Sequence, residues 1–172
     1  SWGRMRPMGT PVFEDLGHGI TAIDTGFVRP FFDASHLVVE GGRAAFVDVG
    51  TSHSAPGLLA VLEAKGLRPE DVDYVIVTHV HLDHAGGAGE MVRRLPKARL
   101  VVHPRGARHM VDPSRLWAGA SAVFGEEAMA RNYGQVVPVD ASRLVEAKEG
   151  FTLELGGRPL LFLDTPGHAK HH

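Results

Sequence analysis

Residues 75–87, VIVTHVHLDHAGG, decide both the fold class and the chemistry of this chain. The segment DYVIVTH at 73–79 is a continuous run rich in β-branched residues, which predicts a strand buried on both faces. Three histidines and one aspartate fall within the six positions 79–84, and two glycines follow. Imidazole nitrogens and carboxylate oxygens are ligands that suit zinc and borderline metals such as Fe(II) or Mn. The stretch therefore predicts a metal site at the end of a buried strand.

The spacing of these side chains supports that interpretation. His79 and His81 are two apart, so they point to one side of the pleat if strand geometry persists. His81 and His84 are three apart, which brings side chains together on a helical turn, and Gly86-Gly87 allow a tight turn after them. Free bases crowded in this way would repel one another on protonation unless a metal held them deprotonated. We therefore favour metal ligands over a histidine-rich polar loop.

The rest of the chain alternates strand and helix patterns. Glu40-Gly41-Gly42-Arg43 indicates a hairpin turn within 37–50, and Ser54 is the predicted N-cap of a helix. The predicted helices cover 54–66, 87–96 and 113–134, the last broken near Gly125. The other strand patterns cover 98–103, 135–139, 143–147, 151–155 and 159–167. Early hairpins followed by βαβ-like units predict an α+β fold, a mixed sheet with helices packed on one side.

Composition narrows the class of partner. A length of 172 residues is typical of a single domain, and 44% hydrophobic residues can build a core. A formal net charge of -2 and a pI of about 6.6 argue against nucleic acid or an anionic membrane as the main partner. The chain has no cysteine, which removes disulfides, thiolate nucleophiles and cysteine zinc ligands and is typical of a cytoplasmic protein. We expect a small-molecule substrate and leave a homo-oligomer open.

Three motifs together resemble a known family. THVHLDHAGG at 78–87 is similar to the His-x-His-x-Asp-His signature of the metallo-β-lactamase superfamily. DTPGHAKHH at 164–172 resembles the next motif of that family, and FVDVGTSHS at 46–54 resembles its early strand. The resemblance covers essentially the whole chain and implies an αββα sandwich. It implies that residues 1–172 are one domain carrying the first half of that sandwich and the start of the second, incomplete at the C-terminus.

The resemblance also implies a set of metal ligands. His79, His81 and His168 match the three histidines that hold one metal in the family, and Asp83 and His84 match residues that help to hold a second. The family supplies a bridging aspartate and a final histidine downstream of the Pro-Gly-His motif. Within residues 1–172 the second metal would thus have two protein ligands, which are too few to hold an ion firmly.

Two aspartates receive other roles from the resemblance. Asp48 matches a residue that orients ligands through hydrogen bonds rather than binding metal. Asp83 is the catalytic candidate, because it either accepts a proton from the nucleophilic water or holds the second metal. His53, which follows the loop after Asp48, is a weaker candidate for the border of the site.

These residues predict a hydrolase. A metal-bound hydroxide would attack a small ester, lactone or thioester, with one or two ions. Zinc is the first choice of metal, and iron or manganese remain open. Two alternatives stay open as well: a mononuclear non-haem iron dioxygenase of the persulfide type, and a non-catalytic binding domain with an incomplete metal site.

Overall fold

The computed structural model describes residues 11–27 and 33–163. The predicted ligand His168 and the Pro-Gly-His motif lie outside the described residues. Within the described part of the chain, no helix is long and apolar enough to cross a bilayer.

Seven strands of the described residues form one mixed sheet, in the order β1 to β7. The first four pair antiparallel, and β4, β5, β6 and β7 pair parallel. Parallel strands bring their carboxyl ends to one edge of a sheet, so the residues that follow β4 and β5 become neighbours. The strands are β1 (Phe13–Gly17), β2 (Ile20–Asp24), β3 (Ala34–Glu40), β4 (Arg43–Val47), β5 (Val72–Val77), β6 (Arg99–Val102) and β7 (Leu144–Glu146).

Helices cover one face of this sheet. Side chains alternate along the strands, so that Phe46, Val75 and Leu100 enter one core with residues of α1, α3 and α4. The helices are α1 (Ala55–Ala64), α2 (Leu82–Ala85), α3 (Ala88–Arg94), α4 (Pro104–Val111), α5 (Ser114–Phe124) and α6 (Glu126–Tyr133). This confirms a mixed sheet with helices packed on one side.

A two-stranded hairpin covers the opposite face. Strands β8 (Thr152–Leu155) and β9 (Arg158–Leu161) pair antiparallel, and Leu155 is fully buried against the other side of the sheet. The residues that alternate with the first core, Ala45, Ile76 and Val101, form this second core. The described layers are therefore helices, the main sheet and the beginning of a second sheet.

Several local predictions hold, and others need correction. The Glu40–Arg43 hairpin turn is present, and Gly125 separates α5 from α6 with a φ of 85°, which favours glycine. Ser54 occupies the N-cap position of α1 but makes no capping hydrogen bond with its side chain. Thr51 caps the short 3₁₀ turn before α1 instead, and Ser54 completes that capping box.

The strand predicted over 135–139 is also wrong. Pro138 has no backbone N–H to give to a sheet ladder, and the segment packs over helices instead. Val139 donates a backbone hydrogen bond to Met110 at the end of α4, and Gln135 accepts one from the side chain of Ser52. An apolar run with a strand-like composition is here a loop that covers the helical layer.

Arg143 ties the start of β7 to the end of α3. Its guanidinium donates hydrogen bonds to the carbonyls of Val92 (2.9 Å), Leu95 (2.6 Å) and Ala98 (3.1 Å). The carbonyls of Val92 and Leu95 also accept the N–H groups of Leu95 and Ala98, so the guanidinium adds a second donor to each. The planar fork of arginine reaches several carbonyls at once.

We predict that Arg143→Lys lowers the free energy of unfolding by about 1–3 kcal/mol, because a single ammonium cannot replace the several hydrogen bonds that the planar guanidinium makes. Denaturant unfolding of the wild type and the variant measures this. The matched control is Arg99→Lys, the same change at an exposed side chain, which should stay within about 0.5 kcal/mol of the wild type. Equal losses in the free energy of unfolding of both variants would contradict the stabilising role of the Arg143 hydrogen bonds.

Glu90 forms two ion pairs within α3. It is buried and pairs with Arg94 and Arg93, with an N–O distance of 2.6 Å to each. The hydrogen bond from Arg94 holds the pKa of Glu90 below its ordinary value, against the opposing effect of burial. A carboxylate with a depressed pKa stabilises the fold above its unfolded pKa of about 4.3, and this stabilisation is lost as the pH falls through the folded pKa.

We therefore predict that Glu90→Gln is less stable than the wild type at pH 7 and that this difference shrinks as the pH falls below about 4.5. Thermal unfolding across pH 3 to 7 measures it. Glu63→Gln, at an exposed position of α1, should follow the wild-type curve throughout. A stability difference for Glu90→Gln that does not change with pH would refute the role of the charge.

Candidate metal centre

The candidate centre lies where β4 and β5 end side by side. Val47 is the last residue of β4 and pairs with Ile76, and the N–H of Asp48 continues the ladder by bonding to the carbonyl of Ile76 at 2.8 Å. Asp48 then takes a φ of 52°, in the left-handed region that non-glycine residues rarely adopt. The chain thus turns sharply as it leaves the sheet, and the Asp48 side chain is directed at the segment that follows β5.

The Asp48 carboxylate holds the first residue of that segment. Its Oδ1 accepts the backbone N–H of Thr78 at 2.9 Å, and its Oδ2 accepts the Thr78 hydroxyl at 2.7 Å. The side chain of Asp48 is only 14% exposed. Burial by itself raises the pKa of Asp48, but hydrogen bonds from His84 and Thr78 outweigh it and leave that pKa below its ordinary value. These hydrogen bonds are those expected of a residue that orients ligands.

Thr78 also orients the ring of His79. Its Oγ1 lies 3.0 Å from His79 Nδ1. A carboxylate only accepts, so the hydroxyl gives its hydrogen to Asp48 and accepts from the Nδ1–H of His79. In the neutral ring of the buried His79 the hydrogen is therefore on Nδ1 and the lone pair on Nε2, which is the tautomer that binds a metal through Nε2.

His84 sits between three carboxylates. Its Nδ1 lies 3.5 Å from Asp48 Oδ2, and its Nε2 lies 3.3 Å from Asp83 Oδ2 and 3.5 Å from Asp33 Oδ1. The hydrogen bond to Asp48 chiefly raises the pKa of His84, and the charges of Asp83 and Asp33 add to it. Burial and the neighbouring Asp83 raise the pKa of Asp33 to about 6. Such mutual perturbation is typical of a functional site.

The three histidines of the motif converge. The ring centroid of His79 lies 4.9 Å from that of His81 and 4.1 Å from that of His84. The strand ends at Val77, so His79 and His81 are not brought together by a shared pleat, as the sequence suggested. His81 instead precedes α2 in an extended conformation, and the turn between β5 and α2 brings the rings together.

Glycine is required at position 87 for a reason other than the tight turn that the sequence suggested. Gly87 does not take a positive φ, and its N–H bonds to the carbonyl of Gly50 at 2.9 Å. A Cβ on Gly87 would lie 2.4 Å from the Thr51 carbonyl oxygen. Glycine is therefore needed for the close approach of the loops after β4 and α2, and not for a tight turn.

Two groups of donors are close enough to share an ion among the described residues. Each group offers three ligand atoms within 4.8 Å of one another. The groups are Asp48 with His79 and His84, and Asp33 with Asp83 and His84. Of the predicted ligands, His79, Asp83 and His84 thus belong to such a group, and His81 lies beside His79. The predicted roles of all of them, and of His168, stay predictions.

The sequence interpretation missed Asp33. It belongs to no motif and precedes β3, far from the histidines in sequence. The hairpin register could have indicated it, because His36 pairs with Val47 and the residues before β3 must then lie beside those after β4. Antiparallel pairing with a motif-bearing strand is the signal that a search for short motifs does not use.

A cavity of about 520 Å³ lies beside the centre. Thr25, Phe27, His53 and Arg131 are among its lining residues, so His53 borders a cavity and is in neither donor group. Phe27 stacks on Tyr133 with ring centroids 5.3 Å apart. Burial raises the pKa of Tyr133, and the charges of Asp83 and Asp33 add to this effect. The cavity combines an aromatic face with a guanidinium.

We predict that Thr78→Val weakens metal binding at least about tenfold, the cost typical of losing a partner that orients a ligand. The variant loses the hydroxyl that joins Asp48 to His79, whereas Thr78→Ser keeps it. Competition for zinc with a chromophoric chelator measures both affinities. Wild-type zinc affinity in Thr78→Val, or equal losses of affinity in the valine and serine variants, would contradict the proposed role of the Thr78 hydroxyl.

Comparison with known proteins identifies relatives of this chain. A metallo-β-lactamase fold-containing protein of Sulfurisphaera tokodaii is 28% identical over 159 residues, covering 90% of this chain and 57% of that protein. The N-acyl homoserine lactonase AttM of Agrobacterium fabrum is 26% identical over 166 residues, covering 83% of this chain and 57% of that protein. The chain thus spans a little over half the length of these curated relatives.

Solved structures show the same fold. A metallo-β-lactamase of Cronobacter sakazakii with a HARLDQ motif superposes with a TM-score of 0.65 and 26% identity, over 91% of this chain and 55% of that one. The described layers thus match the N-terminal part of an αββα sandwich. Residues 28–172 match the sequence profile of the metallo-beta-lactamase superfamily. The chain belongs to the metallo-β-lactamase superfamily.

Proposed function

We propose that the protein is a metal-dependent hydrolase that uses zinc to cleave a small ester, lactone or thioester. The observation that carries this proposal is the fixed imidazole of His79. Its Nδ1–H is committed to Thr78, which puts the lone pair of the neutral ring on Nε2, and the ring packs beside those of His81 and His84. Nitrogen and oxygen donors of this kind are those that zinc prefers.

The remaining donors fit a cation equally well. Asp33 and Asp83 both face His84 Nε2, and Asp33 Oδ2 is buried with no hydrogen-bond partner among the described residues. Acceptor atoms that converge in this way are costly to bury unless a proton or a metal cation lies between them. A zinc ion bound here would supply Lewis acidity and activate a water for attack at neutral pH.

The residues around the centre supply the other parts of a hydrolytic site. Asp48 and Thr78 hold His79 in one tautomer, so no reorientation is needed when the substrate arrives. Asp83, with 28% of its side chain exposed, is placed to hold an ion or to take a proton from water. The cavity beside Phe27 and Arg131 offers an apolar face and a cation to a small organic substrate.

The choice of substrate class rests on the family and on charge. One relative, AttM, is named as an N-acyl homoserine lactonase, which favours a lactone within the proposed class. A net charge of -2 argues against nucleic acid as the substrate. We accordingly propose a small-molecule substrate and keep the cytoplasmic location, which rests on the lack of cysteine, as a prediction.

The decisive experiment combines metal analysis with a substrate panel. Protein purified without chelator should contain zinc by elemental analysis and should hydrolyse at least one of an N-acyl lactone, a thioester and an activated ester. The His79→Ala, His81→Ala double variant should lose both the metal and the hydrolysis. The control is His109→Ala, at a histidine of α4 that belongs to neither donor group.

Two results would contradict the proposal. Equal metal content in the double variant would show that these histidines do not bind the ion. Iron in place of zinc, with consumption of dioxygen on a persulfide substrate and no hydrolysis, would identify an oxygenase instead. Measuring oxygen uptake on the same preparation separates the two reactions.

A further inference from the structure

Asp33 is the residue of the centre that no motif explains. Its side chain is 14% exposed, and its Oδ1 lies 3.5 Å from His84 Nε2. Its Oδ2 is buried and has no hydrogen-bond partner among the described residues. A buried carboxylate oxygen without a partner is rare in folded proteins and points to a group that is bound there.

The backbone around Asp33 is held in place. The Asp33 carbonyl accepts hydrogen bonds from both the N–H (3.0 Å) and the hydroxyl (3.1 Å) of Thr25, which closes the β2–β3 connection. The carbonyl of Thr25 in turn accepts the Ser54 hydroxyl at 3.4 Å, next to the start of α1. Asp33 is thus presented from a fixed position, as a ligand that must keep its geometry should be.

The orientation of His84 decides what faces Asp33. Asp48 Oδ2 lies 3.5 Å from Nδ1, so when a cation occupies the Nε2 side the ring hydrogen stays on Nδ1, towards Asp48. The carboxylates of Asp33 and Asp83 lie 3.5 Å and 3.3 Å from Nε2. Three possible ligand atoms, one from each residue, thus lie within 4.8 Å of one another.

We propose that Asp33 is a protein ligand of a second metal position, together with Asp83 and His84. This inference rests on the proposed function, since it assigns one more residue to the same centre. It revises the expectation that residues 1–172 supply only two ligands for a second ion. Three ligands, one nitrogen and two oxygens, leave positions open for water or substrate, as in catalytic sites.

The ligand set also predicts a preference. Two carboxylates and one imidazole form a harder and more negative set than the His79 and His81 side of the centre. Manganese and zinc both suit such donors, whereas soft Cu(I) does not. The second position should therefore accept Mn²⁺ more readily than the first, and titration with each metal separately can show this.

The test is a zinc titration of the metal-free protein by calorimetry, with the bound metal counted by elemental analysis. The wild type should bind two ions. Asp33→Asn should bind one ion with unchanged affinity, and the affinity for the second should fall at least about tenfold, since a direct ligand should matter no less than an orienting partner. Asparagine has nearly the shape of aspartate, so the variant should fold.

A matched control variant and a measurement of thermal unfolding separate the loss of a metal ligand from a general loss of stability. Asp24→Asn changes another buried aspartate next to the same connection, one that belongs to neither donor group and whose Oδ1 accepts the Gly26 N–H, as an asparagine oxygen also would. It should bind two ions. Metal-free Asp33→Asn should unfold at the same temperature as the wild type or a higher one, because a repulsion is removed, whereas with zinc it should unfold at a lower one.

The outcomes are distinguishable. A second ion that binds Asp33→Asn as tightly as the wild type would overturn the assignment of Asp33 and leave the proposed function intact. If the wild type binds one ion and Asp33→Asn binds it with the same affinity, the assignment of Asp33 is also overturned and the proposed function stays intact. A wild type that binds no metal would overturn both proposals.

Discussion

The candidate centre depends on one pair of hydrogen bonds, from the N–H and the hydroxyl of Thr78 to the carboxylate of Asp48. They join the ends of two neighbouring parallel strands, at the point where the sheet ladder stops. The hydroxyl fixes His79 in the tautomer whose lone pair is on Nε2, and the same carboxylate lies 3.5 Å from Nδ1 of His84. One buried aspartate thereby orients two imidazoles, and its unusual φ of 52° is the backbone strain that accompanies this position.

Membership of the metallo-β-lactamase superfamily explains why this edge of the sheet carries the chemistry. The sheet is covered by helices on one face and by the β8–β9 hairpin on the other, so the edge where β4 and β5 end is where polar side chains can gather without burial in the core. Fold alone does not select a reaction, because the same fold supports different chemistries. We propose that the cavity lined by Phe27, His53 and Arg131 selects the substrate.

Much of the fold could be predicted from local pattern. The buried run of β5, the hairpin at Glu40–Arg43 and the break at Gly125 each depend on residues close together in sequence. The predictions that failed concern residues whose partners are distant in sequence. The segment 135–139 has a strand-like composition, but it bonds to the end of α4 through Val139 and packs closely on Gly89 of α3 instead of pairing with a strand. Asp33 meets His84 only because β3 and β4 are antiparallel neighbours, a relation that no single motif contains.

The most direct test of the account is a crystal structure of the zinc-loaded protein with anomalous diffraction recorded at the zinc edge. The account predicts an anomalous peak about 2.0–2.2 Å from His79 Nε2, with the Asp48 carboxylate still bound to Thr78 and outside the coordination shell. A peak bound through His79 Nδ1, or one that has Asp48 as a ligand, would contradict the central role of the Asp48–Thr78 hydrogen bonds.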